Sequence, residues 1–130
     1  MLGNKARSIR PGIQVSATGC MPYARAYYEA FQDWPLWLEL GIVDFVTIMN
    51  YSSCPSEFER WIAKAKSKVK DLGKVNIGIG AYKLVRSPGI FEKEFRASET
   101  SGAGGVVVFH YGSLCEDPAL GDIMTGGRRE

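Results

Sequence analysis

Polar and aromatic side chains gather at the ends of four short apolar stretches, in a mixture suited to holding a ligand rich in hydroxyls. The first stretch delivers Ser16, Thr18 and Cys20; the second Met49, Asn50, Tyr51 and Ser52; the third Tyr82 and Lys83; the fourth His110, Tyr111 and Ser113. Amide and hydroxyl groups can hydrogen-bond ring hydroxyls, while each tyrosine presents an apolar face with a polar tip. Lys83 adds a charge, and His110, the one histidine, can exchange a proton near neutral pH. A sugar chain fits that description. The candidate substrate contacts are therefore Ser16, Asn50, Tyr51, Tyr82, Lys83, His110 and Tyr111, and the candidates for acid–base work are His110 and Asp33. Plainer roles stand beside these. Asn50 and Tyr51 could simply close a strand, Tyr82 could be a core residue with a wetted hydroxyl, and Asp33 is better suited to bonding backbone or an indole than to chemistry. Trp34 and Trp37 read as packing between helix and sheet in preference to a sugar platform.

The elements that would position these groups can be read from periodicity. Four segments rich in β-branched and aromatic residues, Ile13 to Thr18, Val43 to Asn50, Val75 to Tyr82 and Gly105 to Tyr111, are bounded by Gly, Pro, Ser or Asn and predict strands. Between the second and third, Phe58, Trp61, Ile62, Ala65, Val69 and Leu72 follow helical spacing, with Ser56 as cap and Gly73 as stop. Lys64, Lys66, Lys68 and Lys70 fall on the solvated outer arc of that helix. Tyr23 to Leu40 predicts a helix that begins near Ala24 and restarts around Pro35; Ile90, Phe91, Glu94, Phe95 and Ser98 mark a third crossover. Strands joined by helical crossovers pair in parallel, and right-handed crossovers place the helices on one side when the strands follow in order. The expected fold is thus α/β, half of a TIM (β/α)8 barrel, since a full barrel takes about 250 residues. A small doubly wound sheet with helices on both faces is the competing architecture.

In either architecture the working face lies at the carboxyl ends of the strands. Four segments there carry a resemblance: QVSATG, QDWPLWLELGIVDFVTIMNY, VNIGIGAYKL and SGAGGVVVFHYGSL. Together, Gln32-Asp33-Trp34 with Trp37, the Asp44 strand ending in Met49-Asn50-Tyr51, and the strand of Gly78, Gly80 and Tyr82 resemble the carboxyl-terminal half of a bacterial glycoside hydrolase-like barrel family, formerly a domain of unknown function. The resemblance spans Arg10 to Leu114. It implies a polysaccharide substrate, bacterial cell-wall glycan among the possibilities, and makes the four strands the fifth to eighth of the barrel. Glycosidases need two carboxyl groups about 5 Å apart for retention and farther apart for inversion, and these strand ends carry no such pair. Asp44 opens its strand and so belongs to the opposite, stability face. In related barrels the acids commonly end the fourth strand, which implies that this chain alone is inactive and depends on a missing amino-terminal half-barrel. A non-catalytic carbohydrate-binding or scaffold module is the alternative, and a barrel enzyme of small-molecule metabolism is a third direction.

Composition narrows the remaining possibilities. The 130 residues are 45% hydrophobic, which supports one packed domain, with residues 115–130 as a polar tail made of a short docking segment and a loose end. Sixteen Lys and Arg against 14 Asp and Glu leave a formal charge of +2, so nucleic acid is not an expected partner. No run approaches the roughly 20 apolar residues of a membrane span, and the basic opening MLGNKARSIRPG lacks the apolar core of a secretory signal, so any export signal would lie upstream and the compartment is not readable. Cys20, Cys54 and Cys115 include no close pair, which predicts free thiols; no cofactor or metal ligand set is expected. An open half-barrel leaves two unpaired edges and a bare face. Covering roughly 800 Å² of it would be worth on the order of 20 kcal/mol before association costs offset most of that, so self-association is expected of the chain alone.

Overall fold

Three long crossovers and four short strands alternate in the computed structural model, which describes residues 2–126. In chain order the elements are α1 (Leu2–Ile9), β1 (Ser16–Cys20), α2 (Tyr23–Tyr28), α3 (Trp34–Glu39), β2 (Phe45–Asn50), α4 (Pro55–Lys68), β3 (Val75–Gly80), α5 (Pro88–Thr100), β4 (Gly105–Phe109), α6 (Tyr111–Glu116) and α7 (Pro118–Met124). The strands lie in the order β1-β2-β3-β4 and every pair is parallel, in the register Ser16 beside Phe45, Val46 beside Val75 and Asn76 beside Gly105. The chain is therefore α/β with a four-stranded all-parallel sheet and helical crossovers, the arrangement of a half-barrel.

Alternation along each strand divides the sheet into two unlike faces. Val46, Ile48, Val75, Ile77 and Ile79 are buried, and together with Phe58, Ile62 and Ala65 of α4 and Phe91 and Phe95 of α5 they form the core. The opposite face carries Ser16, Thr18, Thr47 and Asn76 beside Phe45, Met49, Val107 and Phe109, none of them fully buried. Val107 and Phe109 are 41% and 50% exposed, so no helix covers that side of β4. The helix-clad side of the strands is apolar apart from Asn50. The bare side mixes hydroxyls and an amide with large apolar groups.

Local chemistry accounts for most element ends. Asp33 caps α3 by accepting from the Leu36 N–H at 3.3 Å, with Pro35 in the first turn, and Gly41 at φ +66° releases the chain. Several boundaries depart from the sequence reading: β2 begins two residues later than expected, and β3 and β4 each end two residues earlier. The first strand was expected over Ile13 to Thr18 but runs Ser16–Cys20, because Gly19 does not end it. The Trp34 indole lies flat against Gly19, where a Cβ would come within 2.7 Å of Cδ1, so the glycine serves close packing inside the strand. At α4 the cap is Cys54, followed by Pro55, not Ser56. The same helix ends at Lys68 and not at Gly73, since β3 begins at Val75 and the chain needs the intervening residues to reverse direction. Leu72 still reaches the core from a short 3-10 turn, with Asp71 accepting from the Gly73 N–H.

The amino end of the sheet is tied down by charge. Asp44 accepts from the Val15 N–H at 2.7 Å and pairs with Arg7 of α1 at 3.0 Å. The backbone donor first, and the guanidinium second, hold the Asp44 carboxyl below the usual carboxylate range. Lys64, Lys66, Lys68 and Lys70 are exposed, with Lys70 paired to Glu39 at 3.1 Å and Lys68 lying over the Tyr23 ring. At the carboxyl end of the chain α7 packs on α5 and buries Leu120 completely. The expected loose end falls largely on residues 127–130, outside the described residues. No helix is long and apolar enough to cross a membrane among those residues.

Candidate functional site

The carboxyl ends of β1, β2 and β3 open onto a cleft of about 290 Å³ lined by Cys20, Met21, Arg25, Met49, Tyr51, Trp61, Tyr82 and Lys83. Two glycines of β3 set the position of its Tyr51 wall. Gly78 and Gly80 of β3 have no side chains to fill the bare face, so the Tyr51 ring folds down over them; a Cβ on Gly80 would meet the Tyr51 Cβ at 2.9 Å. From there Tyr51 stacks on Phe109 with ring centres 5.8 Å apart and planes 15° from parallel. Tyr82 meets both rings edge-on, at 5.9 Å from Tyr51 and 6.2 Å from Phe109. Three strand ends thus converge on one aromatic platform.

Polar groups fix its edges. Lys83 donates from Nζ to the Tyr51 carbonyl at 2.8 Å and sits 5.9 Å from the Tyr82 ring centre, which holds the ammonium beside the platform. Burial, and then the neighbouring Tyr82, push the Tyr51 hydroxyl above its ordinary pKa, so it stays protonated and able to donate. His110 follows Phe109 across a cis peptide bond, meets its ring edge-on at 5.4 Å and is exposed. Tyr111 is 77% exposed at the start of α6, with no ring contact to the platform.

Several sequence-derived contacts take other positions. Ser16 begins β1 and lies at the amino end of the sheet, a full strand away from the cleft, because the strand starts three residues later than the pattern predicts. Asn50 ends β2 but turns to the helix-clad side, since it shares the parity of Val46 and Ile48. Completely buried there, it donates from Nδ2 to the Phe58 carbonyl at 3.1 Å and ties β2 to α4. It offers nothing to a ligand at the rim. Ser52 and Ser113 are also buried, and the Ser52 hydroxyl donates to Glu57 at 2.7 Å. Asp33 is occupied by its cap and by the Tyr23 hydroxyl at 3.1 Å, an interaction that, added to burial, raises Tyr23 to about 12. The structure keeps Tyr51, Tyr82 and Lys83 together, with His110 beside Phe109.

Other residues acquire roles that strand-end reading passes over. Phe109 falls inside the fourth predicted strand without being singled out, although its parity with Val107 and its position on the last strand already place it on the face that helices leave bare. Arg25 lies in the first turn of α2, and Trp61 comes from α4; both reach the cleft only because of how those helices pack. Glu94 is a different surprise. It sits in the apolar stripe of α5, completely buried, with neither carboxylate oxygen hydrogen-bonded. Burial first, and the nearby Cys54 second, push it up to about 8, so it is largely a neutral acid at pH 7. Cys54 itself is exposed, and the Ser56 hydroxyl at 3.3 Å, followed by the Glu57 N–H, lowers its pKa.

No Asp or Glu lines the cleft, and among the described residues no cluster of three or more His, Cys, Asp or Glu could hold a metal ion. A cleft of about 370 Å³ between α3 and the end of α4 is rich in lysine, but it lies near the amino end of β3 and its Lys70 is already paired with Glu39. What the rim can do chemically is bind: stack a flat apolar surface on one of the two near-perpendicular rings, Tyr51 or Tyr82, and hydrogen-bond or ion-pair at its margins. No protein-family model, curated protein or solved structure matches the chain.

Proposed function

We propose that this chain is the glycan-holding, carboxyl-terminal half of a (β/α)8 glycoside hydrolase, its strands the fifth to eighth of the barrel. The observation that carries the reading is the Tyr51–Tyr82–Phe109 platform at the carboxyl ends of a sheet clad on one side only. Pyranose rings present C–H faces that stack on such aromatics, while Lys83 and His110 stand where ring hydroxyls would project. Hydrolysis requires a general acid and a second carboxyl group, and the cleft provides neither. In this reading both come from the other half of the barrel, with a polysaccharide such as bacterial cell-wall glycan as the substrate. The lack of acids also supports a second reading, a carbohydrate-binding or scaffold module without catalysis.

Titration with soluble oligosaccharides, followed by tyrosine and tryptophan fluorescence, together with a reducing-end assay, tests the proposal. Saturable binding without new reducing ends is the expected result for the chain alone. Absence of binding across neutral and acidic oligosaccharides overturns both readings, and hydrolysis by the chain alone overturns the assignment of the acids to the other half. Joining an amino-terminal half-barrel distinguishes the two readings, since only the hydrolase gains activity.

The bare face and the unpaired edges of β1 and β4 need a complement, which the missing half would supply. For the chain alone we propose self-association. In a two-fold pair, β4 of each copy lies beside β1 of the other and both edges find parallel partners. Sedimentation equilibrium at micromolar concentration is expected to give a dimer, and a compact, stable monomer would count against it.

A further inference from the structure

The charges around the cleft go further than its aromatic floor. Arg25 stands on the β1 side and Lys83 on the β3 side, with Met49 and Tyr51 of the central strand between them, and no carboxylate is among the lining residues. Two cations in one small cleft equal the formal surplus of the whole chain, +2. Neither is held in a strong ion pair. Lys83 spends one hydrogen bond on the Tyr51 carbonyl, a neutral acceptor, and keeps two further N–H donors. Arg25 meets Glu29 through Nε at 3.5 Å, but that pair is largely exposed, at 65% and 72%, and weak for that reason; Glu29 does not line the cleft.

A neutral glycan offers hydroxyl acceptors but no counter-charge to either cation. A carboxylate supplies one. Resting on the glycan-holding reading above, we propose that the cleft is selective for a chain of carboxylate-bearing sugars, a sugar ring stacking on the exposed Tyr82 while its carboxylate accepts from Lys83 and Arg25. Arginine suits this role through its planar fork, which matches the two oxygens of a carboxylate, and lysine acts as a point charge with free rotation. The positive field over the opening also raises the local concentration of an acidic chain and accelerates its encounter.

Isothermal titration of the full chain with oligogalacturonate and with a neutral chito-oligosaccharide of similar length is the test. At low salt the acidic chain is expected to bind about tenfold tighter, with the ratio shrinking as salt is raised to about 0.2 M. Arg25→Gln, whose charged end makes only exposed contacts, is expected to lower the acidic-to-neutral ratio about threefold, and Lys83→Gln to lower it at least as far. Equal affinities for the two chains, or a ratio unmoved by Arg25→Gln, overturns the charge selectivity while leaving the glycan reading in place. Binding of neither chain removes the glycan reading and this inference with it.

Discussion

The two sides of this sheet are made by the same strands, yet they obey different rules. On the helix-clad side, Val46, Ile48, Val75, Ile77 and Ile79 alternate with perfect period two and are all buried. Across the pleat, residues of similar apolar character, Phe45, Met49, Val107 and Phe109, share their face with Ser16, Thr18, Thr47 and Asn76. Dense apolar packing stabilises the first side, and a single aromatic cluster over two glycines organises the second. The comparison teaches that dense packing and open surface are segregated: the helices hold the strands in place without help from the other face.

The difference is sharpest in the core. Truncating Ile77→Ala is expected to cost about 3–4 kcal/mol in urea denaturation, because it opens a cavity that the α4–α5 layer cannot collapse into. The equivalent truncation on the bare side, Val107→Ala, is expected to cost less than about 1 kcal/mol at concentrations too low for self-association. Similar losses at both positions would mean that the bare face is buried within the monomer.

Glycines give the next largest effect. Gly19→Ala forces a methyl into the Trp34 indole, and Gly80→Ala forces one into Tyr51, each at an expected cost of about 1–3 kcal/mol. The two should respond differently to a second change. Tyr51→Gly, which removes the Cβ, Cγ and Cδ1 that a Gly80 methyl would meet, is expected to relieve much of the Gly80→Ala loss, as a double-mutant cycle would detect. It should leave the Gly19→Ala loss intact, since that site faces the closed side.

Glu94 and Asp44 set the pH dependence of the two ends of the fold in opposite senses. Glu94 has a folded pKa raised to about 8, above its ordinary 4.5, so the folded state keeps a proton that the unfolded chain loses. Its contribution is complete below about pH 4.5, declines as pH rises towards 8 and is flat beyond. Glu94→Gln is expected to remove that slope and to stabilise the protein by about 1–2 kcal/mol at pH 8, measured by denaturant titration across pH. Asp44 has the reverse sign. Its carboxyl is lowered by the Val15 N–H and Arg7, so its contribution is present above the ordinary carboxylate pKa and lost as the solution is acidified. Asp44→Asn is expected to flatten the acid limb with the smallest loss of the series, because the site is solvent-exposed.

Much of this was legible before any coordinates. Helical spacing from Phe58 to Ala65 and from Phe91 to Ser98 identified the inward stripes of α4 and α5, and the order of strands and helices led to parallel pairing in sequence order. Asp33 as a cap and Trp34 as packing follow from residue type and the neighbouring Pro35. Of the expected ligand contacts, Tyr51, Tyr82 and Lys83 come together at the cleft, whereas Asn50 and Ser16 do not. Asn50 fails because nearness to a strand end says nothing about which face a side chain takes, and a parity count against Ile48 would have placed it. Ser16 fails because Gly19 was read as a strand end when its role is to admit an indole.

What the sequence alone determined is local and periodic: which segments become helix or strand, which stripe of each helix turns inward, and the parallel sense of the sheet. Those features follow from side-chain size and spacing over a few residues. Only the tertiary structure decided that Tyr51 lies across Gly78 and Gly80, that Phe109 completes its stack, that Arg25 and Lys83 flank the same cleft, and that Glu94 is buried without a partner. Each of these joins residues roughly 30 or more positions apart or turns on the fit between two helices. Such distances are set by the packing of whole layers, and no short window of sequence contains them.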